Sequence, residues 1–363
     1  MSRDLPFDII ALVIDIVGEN KDTDLLKKLA LVSHSFLQIC SKHLFATVEL
    51  CDHDDVSSSQ FLSSKKGFIK LLKIRPDVVS YIRKLTYRVS GAPICQGNDH
   101  LLSSILLHLV PSFSRLNYLA ISAARLDWNT LDTSLTSAFL RLIHLPTINH
   151  IHLSYIENFP LLSLTPCVNL HRLDIYDLKL HNPLKEDFSE IVVEMMPRIR
   201  EFHTLVSSQQ TRKLLHAKRQ DGQPAFNFMD LRRLSTILGK FETDDGWEIR
   251  YLLQNAKLLE RFDLFVGDGR SIAGILSPGA RMLKSLELGV RLTRSYMRHP
   301  YSLGGICEEL EALAGHNLLE TLFFKVDLFD LVTEDSIGSL FQEVETVLVK
   351  PGWSMLREVF FKV

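Results

Sequence analysis

Three histidines come closest, by residue type and spacing, to forming a chemical site in this 363-residue chain. His150 and His152 lie two positions apart, and we expect His203 to lie on an adjacent strand. Imidazole is a common zinc ligand, but a zinc site also needs a fourth converging ligand, and the sequence offers no dedicated carboxylate pattern for it. We therefore expect no metal. The alternative is that the three histidines make this surface sensitive to pH.

The sequence contains none of the motifs that most directly indicate catalysis. It has no G-x-S-x-G nucleophile elbow, no H-E-x-x-H zinc helix and no Walker phosphate loop. Gly267-Asp268-Gly269 resembles the start of a dinucleotide fingerprint, but the next glycine is Gly274, which breaks the required spacing. We interpret the segment as a turn after a strand. The sequence therefore predicts a non-enzyme that uses no cofactor.

Charge and cysteine usage exclude several classes of protein. The 41 basic and 43 acidic residues nearly cancel, which argues against a general affinity for nucleic acid or an anionic membrane. No run of about 18 apolar residues occurs, and Asp8 and Asp15 interrupt any secretory signal. The odd number of cysteines and the absence of a C-x-x-C pair argue against a disulfide framework and a zinc knuckle. We expect reduced thiols in a cytoplasmic or nuclear protein. The cysteines are Cys40, Cys51, Cys95, Cys167 and Cys307.

The segment from Leu5 to Leu50 predicts three short helices. The first would have Asp4 as its cap and Pro6 in its first turn, and the second would be capped by Thr23 or Asp24. Three helices of this length cannot bury their apolar surface among themselves, so the segment docks on a partner or packs on the rest of its own chain. Periodicity leaves both alternatives open. The apolar positions of the first helix are Leu5, Ile9, Ile10, Leu12, Val13, Ile16 and Val17.

The same segment resembles the F-box motif. The matching blocks are Leu5-Pro6-x-Asp8-Ile9-Ile10, Leu25-Leu26-x-x-Leu29, Leu31-Val32-Ser33-x-x-Phe36 and Leu44-Phe45. Asp8, His34 and Phe36 replace the usual Glu, Arg and Trp of the family. The resemblance implies docking on the Skp-type adaptor of an SCF-type cullin–RING ubiquitin ligase. The positions that match the family's adaptor-facing residues are Leu5, Pro6, Ile9, Ile10, Val32 and Phe36.

An apolar pattern at positions i, i+3 and i+5 recurs through the rest of the chain at intervals of 22 to 37 residues, with helical periodicity between the copies. Such alternation of a short strand with a helix is typical of a repeat array. The last copy would be an edge strand unless more chain follows it. The copies begin at Ile82, Leu116, Ile148, Leu170, Ile199, Leu231, Leu259, Leu283, Leu319 and Leu356.

This pattern resembles leucine-rich repeats, although the family's asparagine ladder is absent. The predicted fold class is α/β: a three-helix F-box followed by a leucine-rich-repeat-like solenoid with a parallel concave sheet. We predict an F-box at 1–50, a linker or connecting helix at 51–78, and the solenoid at 79–363. The combination resembles a ubiquitin-ligase substrate receptor. A scaffold that binds the adaptor without any ligase is the alternative.

Outward-facing strand positions of the predicted solenoid are the candidate contacts to a protein substrate. They mix histidine, arginine, acidic and aromatic side chains. A polar solvated sheet face without any ligand is the alternative interpretation. The candidates are His150, His152, Arg172, Asp174, Tyr176, Glu201, His203, Arg233, Arg261, Asp263 and Phe265.

Overall fold

Two compact units make up the chain, Met1–Phe159 and Pro160–Val363, called here the first and the second unit. The structure is a computed structural model. It describes residues 6–51, 62–89, 96–179, 196–205, 207–219, 221–238, 246–267, 272–276, 282–292, 305–315, 318–328 and 334–362.

The first unit opens with the three helices that periodicity predicts: α1 (Phe7–Glu19), α2 (Thr23–Ala30) and α3 (His34–Leu44). They pack together around a small core, with partly buried apolar side chains around it. The fully buried members of that core are Ile14, Leu26, Ile39 and Cys40.

The helix starts differ in detail from the predicted ones. Asp22, rather than Thr23 or Asp24, caps α2, because its carboxylate accepts a hydrogen bond of 3.0 Å from the backbone N–H of Leu25. Pro6 precedes α1 at the N-cap position instead of lying in its first turn. The predicted cap Asp4 lies outside the described residues.

We expect Asp22→Ala to lower the free energy of unfolding by about 1 kcal/mol, because a backbone donor at the start of α2 loses its acceptor. Asp24→Ala is the matched control, since the Asp24 carboxylate is exposed and lies 3.4 Å from Nζ of Lys27. Urea unfolding of the two variants measures the difference. Equal losses would contradict the assignment of Asp22 as the cap.

The sheet of the first unit begins before the predicted solenoid boundary at residue 79. The segment 47–51 forms a strand because Val48 and Leu50 alternate with more exposed residues and are buried. The predicted linker 51–78 supplies a second strand and a helix. The sheet order is β5-β4-β3-β1-β2, with parallel pairing at every step. The elements are β1 (Thr47–Cys51), β2 (Leu62–Ser64), α4 (Lys65–Ile74), β3 (Lys84–Val89), α5 (Gln96–Leu109), β4 (Tyr118–Asp127), α6 (Thr133–Ile143) and β5 (His150–Glu157), with 3-10 turns at Pro76–Tyr81, Val110–Ser112 and Trp128–Thr130.

The second unit repeats the same arrangement of strand and helix. Its strands follow one another in chain order from β6 to β12, each parallel to the next. The elements are a 3-10 turn at Leu161–Leu164, β6 (Arg172–Tyr176), β7 (Glu201–Leu205), α7 (Ser208–His216), β8 (Arg233–Leu238), α8 (Trp247–Asn255), β9 (Arg261–Val266), β10 (Ser285–Leu292), α9 (Ile306–Leu313), β11 (Thr321–Leu328), α10 (Glu334–Leu348) and β12 (Glu358–Lys362).

All ten predicted strands are present, and each begins two residues after its copy of the apolar pattern. The parallel α/β repeat is therefore confirmed. The i+3 and i+5 side chains are buried in nine of the ten copies, and β12 is the exception. Thr204 and Thr236 stand where the other copies have apolar residues, and both are nonetheless buried. Thr204 keeps its hydroxyl satisfied through a hydrogen bond of 3.0 Å with Thr211 of α7.

Candidate binding surfaces

The first candidate surface is the outer helical face of α1, defined as Ile9, Leu12, Val13 and Ile16. These four aliphatic side chains share one side of the helix, at i, i+3, i+4 and i+7, and each is 47 to 56% exposed. The opposite side of α1 packs against the core through Ile14 and its neighbours. A helix that is apolar on both sides is normally covered on both, so the outer helical face is a candidate docking site.

The turn between α2 and α3 is also apolar and exposed, at 87% for Leu31 and 65% for Val32. The cap of α3 holds the chain just after it, because the Ser33 hydroxyl accepts a hydrogen bond of 3.2 Å from the N–H of Phe36. Farther along, the Asp15 carboxylate and Nε2 of His43 are 2.7 Å apart and join α1 to α3.

The adaptor-facing residues predicted from the motif fall into two groups. Pro6, Ile9 and Val32 are exposed, whereas Ile10 and Phe36 are half-buried against the helical core. Leu5 lies outside the described residues. Leu12, Val13, Ile16 and Leu31 were not among the predicted contacts. For the three residues in α1, the sequence contained an indication of this surface, because α1 has more apolar positions than one buried face requires.

The second candidate surface is the outward face of the sheet in the second unit. The strand registers align its side chains into three ladders. Two of them, the charged ladders, are Arg172-Glu201-Arg233-Arg261 and Asp174-His203-Ser235-Asp263-Glu287. The third, the apolar ladder, is Tyr176-Leu205-Ile237-Phe265.

Two buried aspartates organise the charged ladders. Asp263 accepts hydrogen bonds from Arg233 at 3.0 Å and from Arg261 at 2.8 Å, and the hydrogen bond that Arg261 donates to Asp263 raises the pKa of Arg261. Asp174 pairs in the same way with Arg172, at 3.1 Å. Both aspartates are only 3% exposed, so the arginines compensate carboxylate charges that lie away from solvent.

The arginines remain partly open to solvent above these aspartates. Their side chains are 35 to 40% exposed, and two of them also reach a more exposed glutamate. Arg172 is 3.2 Å from Glu201, and Arg261 is 3.3 Å from Glu287. The charged ladders therefore carry partly exposed guanidinium groups whose charge is compensated by buried carboxylates.

His203 lies within the charged ladders and is 7% exposed. Burial is the main cause that lowers the pKa of His203. The guanidinium groups of Arg172 and Arg233 lower this pKa further, whereas the carboxylates of Asp174 and Glu201 raise it. Among the residues that the structure describes, no group forms a hydrogen bond with Nε2 of this ring. The native state therefore favours the neutral imidazole.

We expect stability to fall as the pH drops below about 6.5, because the unfolded state then binds protons that the native His203 does not. Burial also lowers the pKa of His171, so part of this dependence remains in a His203 variant. Urea unfolding of the native chain and His203→Gln at pH 7.5 and 5.5 tests the claim. Between pH 7.5 and 5.5 the native chain should lose more stability than the variant. Equal losses would exclude His203 as a source of the pH dependence.

A close backbone approach shapes the apolar ladder. The ring of Phe265 covers Gly289 on the neighbouring strand β10, where an added Cβ would lie 2.1 Å from a ring carbon. The Nζ of Lys325 lies 5.8 Å from the centre of the same ring. The ring is thus held flat on the sheet, which gives the apolar ladder a rigid aromatic end.

The other predicted contacts lie in the first unit. His150 and His152 are on β5, and the His150 ring contacts Tyr118 edge-on with centroids 4.5 Å apart. His203 is on β7, with β6 between the two strands in the chain, so the expected adjacency of the three histidines was wrong. The reason is that the copy of the pattern beginning at Leu170 supplies the strand between them.

The described residues contain no group of three or more His, Cys, Asp or Glu side chains arranged to hold a metal ion. No helix in the described part of the chain combines the length and the hydropathy needed to cross a bilayer.

Comparisons with known proteins found similarity to solved structures alone. No protein-family model matches the chain, and no curated protein does. Among solved structures, an internalin (inlF) from Listeria monocytogenes is similar at a TM-score of 0.31 and 11% identity, over 88% of each chain.

Proposed function

We propose that this chain is a non-catalytic adaptor that binds one protein through its N-terminal helices and another through the outward face of the sheet in the second unit. The observation that carries the proposal is the outer helical face, four aliphatic side chains about half exposed on a helix whose other side is already buried. Covering such a face releases water from apolar surface and needs no chemical group.

The F-box resemblance of residues 5–45 makes a Skp-type adaptor the proposed partner of this face. Helix-in-groove docking uses aliphatic anchors spaced at i, i+3, i+4 and i+7, which is the spacing of the outer helical face. Through that adaptor the chain would join an SCF-type cullin–RING ubiquitin ligase as its substrate receptor, in the cytoplasm or nucleus.

The proposed target-binding surface is the outward face of the sheet in the second unit. Its apolar ladder supplies an aliphatic and aromatic strip, and the charged ladders beside it supply partly exposed arginines held in fixed positions. A strip of apolar anchors bordered by ordered charges is the usual composition of a protein-binding surface, and arginine is well suited to bidentate contacts with carboxylates.

Co-purification tests the proposal. We expect the native chain to bind a purified Skp-type adaptor and, through it, a cullin. Binding of the adaptor without the cullin would favour the second candidate, a scaffold that never joins a ligase. The absence of adaptor binding by a folded chain would exclude both.

A further inference from the structure

Three polar side chains on neighbouring strands of the charged ladders have hydrogen-bonding groups that the fold does not use. His203 and Ser235 lie directly opposite each other on β7 and β8, and Arg233 lies two residues before Ser235 on the same face. Neighbouring strands are about 4.8 Å apart and alternate residues of one strand are about 6.6 Å apart, so the three side chains border one small area. This area is called here the serine recess.

Ser235 is the smallest residue of its ladder, and it stands between His203 and Asp263. Its side chain is partly exposed. Among the described residues, the Ser235 hydroxyl forms no hydrogen bond. The hydroxyl can therefore donate to an incoming group without giving up a bond within the chain.

The guanidinium of Arg233 has a donor that is not engaged. Its Nε and Nη2 both donate to Asp263, at 3.3 Å and 3.0 Å. Nη1 makes no hydrogen bond to any residue that the structure describes, and the side chain is 35% exposed. Asp263 also accepts a hydrogen bond from Arg261, so this carboxylate stays paired when Arg233 turns toward a ligand.

The His203 ring gives the strongest indication of a ligand. The residue is 7% exposed, yet its Nε2 has no hydrogen-bond partner in the described part of the chain. A buried nitrogen without a partner costs free energy, which a ligand that accepts its hydrogen bond would recover. Hydroxyl, guanidinium and imidazole groups all donate hydrogen bonds to oxyanions, so the serine recess is suited to an oxyanion.

The surrounding charge indicates which oxyanion fits. The two charged ladders carry three arginines and four carboxylates, so a ligand with two negative charges would be poorly compensated. A singly charged carboxylate needs one additional positive charge, which protonation of His203 supplies. The arginines are Arg172, Arg233 and Arg261, and the carboxylates are Asp174, Glu201, Asp263 and Glu287.

We propose that the serine recess is a carboxylate-binding subsite, through which the chain recognises an acidic side chain of its target. This inference rests on the proposed function, because it names the chemical group that the target-binding surface takes. The carboxylate accepts hydrogen bonds from the Ser235 hydroxyl and from Nη1 of Arg233, and from Nε2 of His203 once Arg233 has turned toward it. Leu205 and Ile237 of the apolar ladder lie two residues farther along β7 and β8, so the acidic side chain would have apolar neighbours in the target.

Titration of the full chain with sodium acetate at pH 7.5 and constant ionic strength tests the subsite without any protein partner. The backbone amide NMR signals of His203 and Ser235 should shift saturably, with a dissociation constant on the order of millimolar. Ser235→Val removes the hydroxyl and fills the serine recess, and Arg233→Lys keeps the charge but loses the planar fork. Each should weaken acetate binding about tenfold or more. Arg125→Gln is the matched control at an exposed arginine of the first unit, and it should change nothing.

A second titration at pH 5.5 tests the role of the histidine. Acetate should bind about tenfold more tightly than at pH 7.5, because the bound carboxylate favours the protonated ring of His203. The charged groups that face this ring are Arg172 and Arg233, which oppose its protonation, and Asp174 and Glu201, which favour it. His203→Gln should bind acetate equally at the two pH values.

Four results would overturn the proposal. They are the absence of a saturable shift, unchanged binding by both Ser235→Val and Arg233→Lys, equal binding by the native chain at the two pH values, and tighter binding of inorganic phosphate than of acetate at pH 7.5. The last result would indicate a phosphorylated target instead. Circular dichroism establishes that each variant is folded, and valine is well suited to a strand. Because acetate replaces the target and no adaptor is present, failure of the subsite is distinct from failure of adaptor docking, which co-purification measures.

Discussion

The double substitution Ile9→Asp, Val13→Asp is expected to reduce binding of a Skp-type adaptor by about 100-fold or more. Each aliphatic side chain buried in an interface contributes about 1.5–3 kcal/mol, and the variant replaces two of them with carboxylates that docking would strip of water. Both positions belong to the outer helical face and are about half exposed, so the free chain should keep its stability. Isothermal titration calorimetry with the purified adaptor measures the loss.

Two matched variants separate docking from folding. Met229→Asp places the same charge at a residue of the second unit that is 52% exposed, and it should leave adaptor binding unchanged. Ile10→Asp alters the half-buried side of α1 that packs on the helical core, so it should lower both stability and binding. If the Ile9/Val13 variant binds as tightly as the native chain, the outer helical face is not the docking surface.

Most of the fold could be predicted from the apolar pattern. The alternation that buries the i+3 and i+5 side chains on one side of a strand is visible within six consecutive residues of the sequence. The same pattern explains the missed strand β1. Phe45, Val48 and Leu50 also have the spacing i, i+3, i+5, and β1 begins at Thr47, two residues after Phe45. The prediction assigned Phe45 to the end of the helical motif, so this copy was overlooked.

The candidate surfaces could be predicted only in part. The outward strand positions followed from alternation, but the partners of each charge depend on register and side-chain reach. Arg233 and Arg261 lie directly opposite each other, an arrangement that would be repulsive by itself. Asp263, two residues farther along β9, reaches both. A sequence shows that the three residues share a face, and only the fold shows that one buried carboxylate holds two guanidinium groups.

Asp263→Ala is therefore expected to destabilise the second unit by about 2–3 kcal/mol. Loss of one partner from a buried pair costs about 3–5 kcal/mol, and we reduce this value because the arginine side chains are 35% and 40% exposed and solvent screens part of their repulsion. Glu287→Ala is the control, since it removes a single contact of 3.3 Å and leaves Arg261 paired with Asp263, so it should cost less than about 1 kcal/mol. Adding Arg233→Met to Asp263→Ala removes one of the two facing cations and should recover part of the loss, which urea unfolding of the complete double-mutant cycle measures. Additive effects of the two substitutions would show that Asp263 does not couple the two strands, and the charged ladders would then be an ordinary solvated surface.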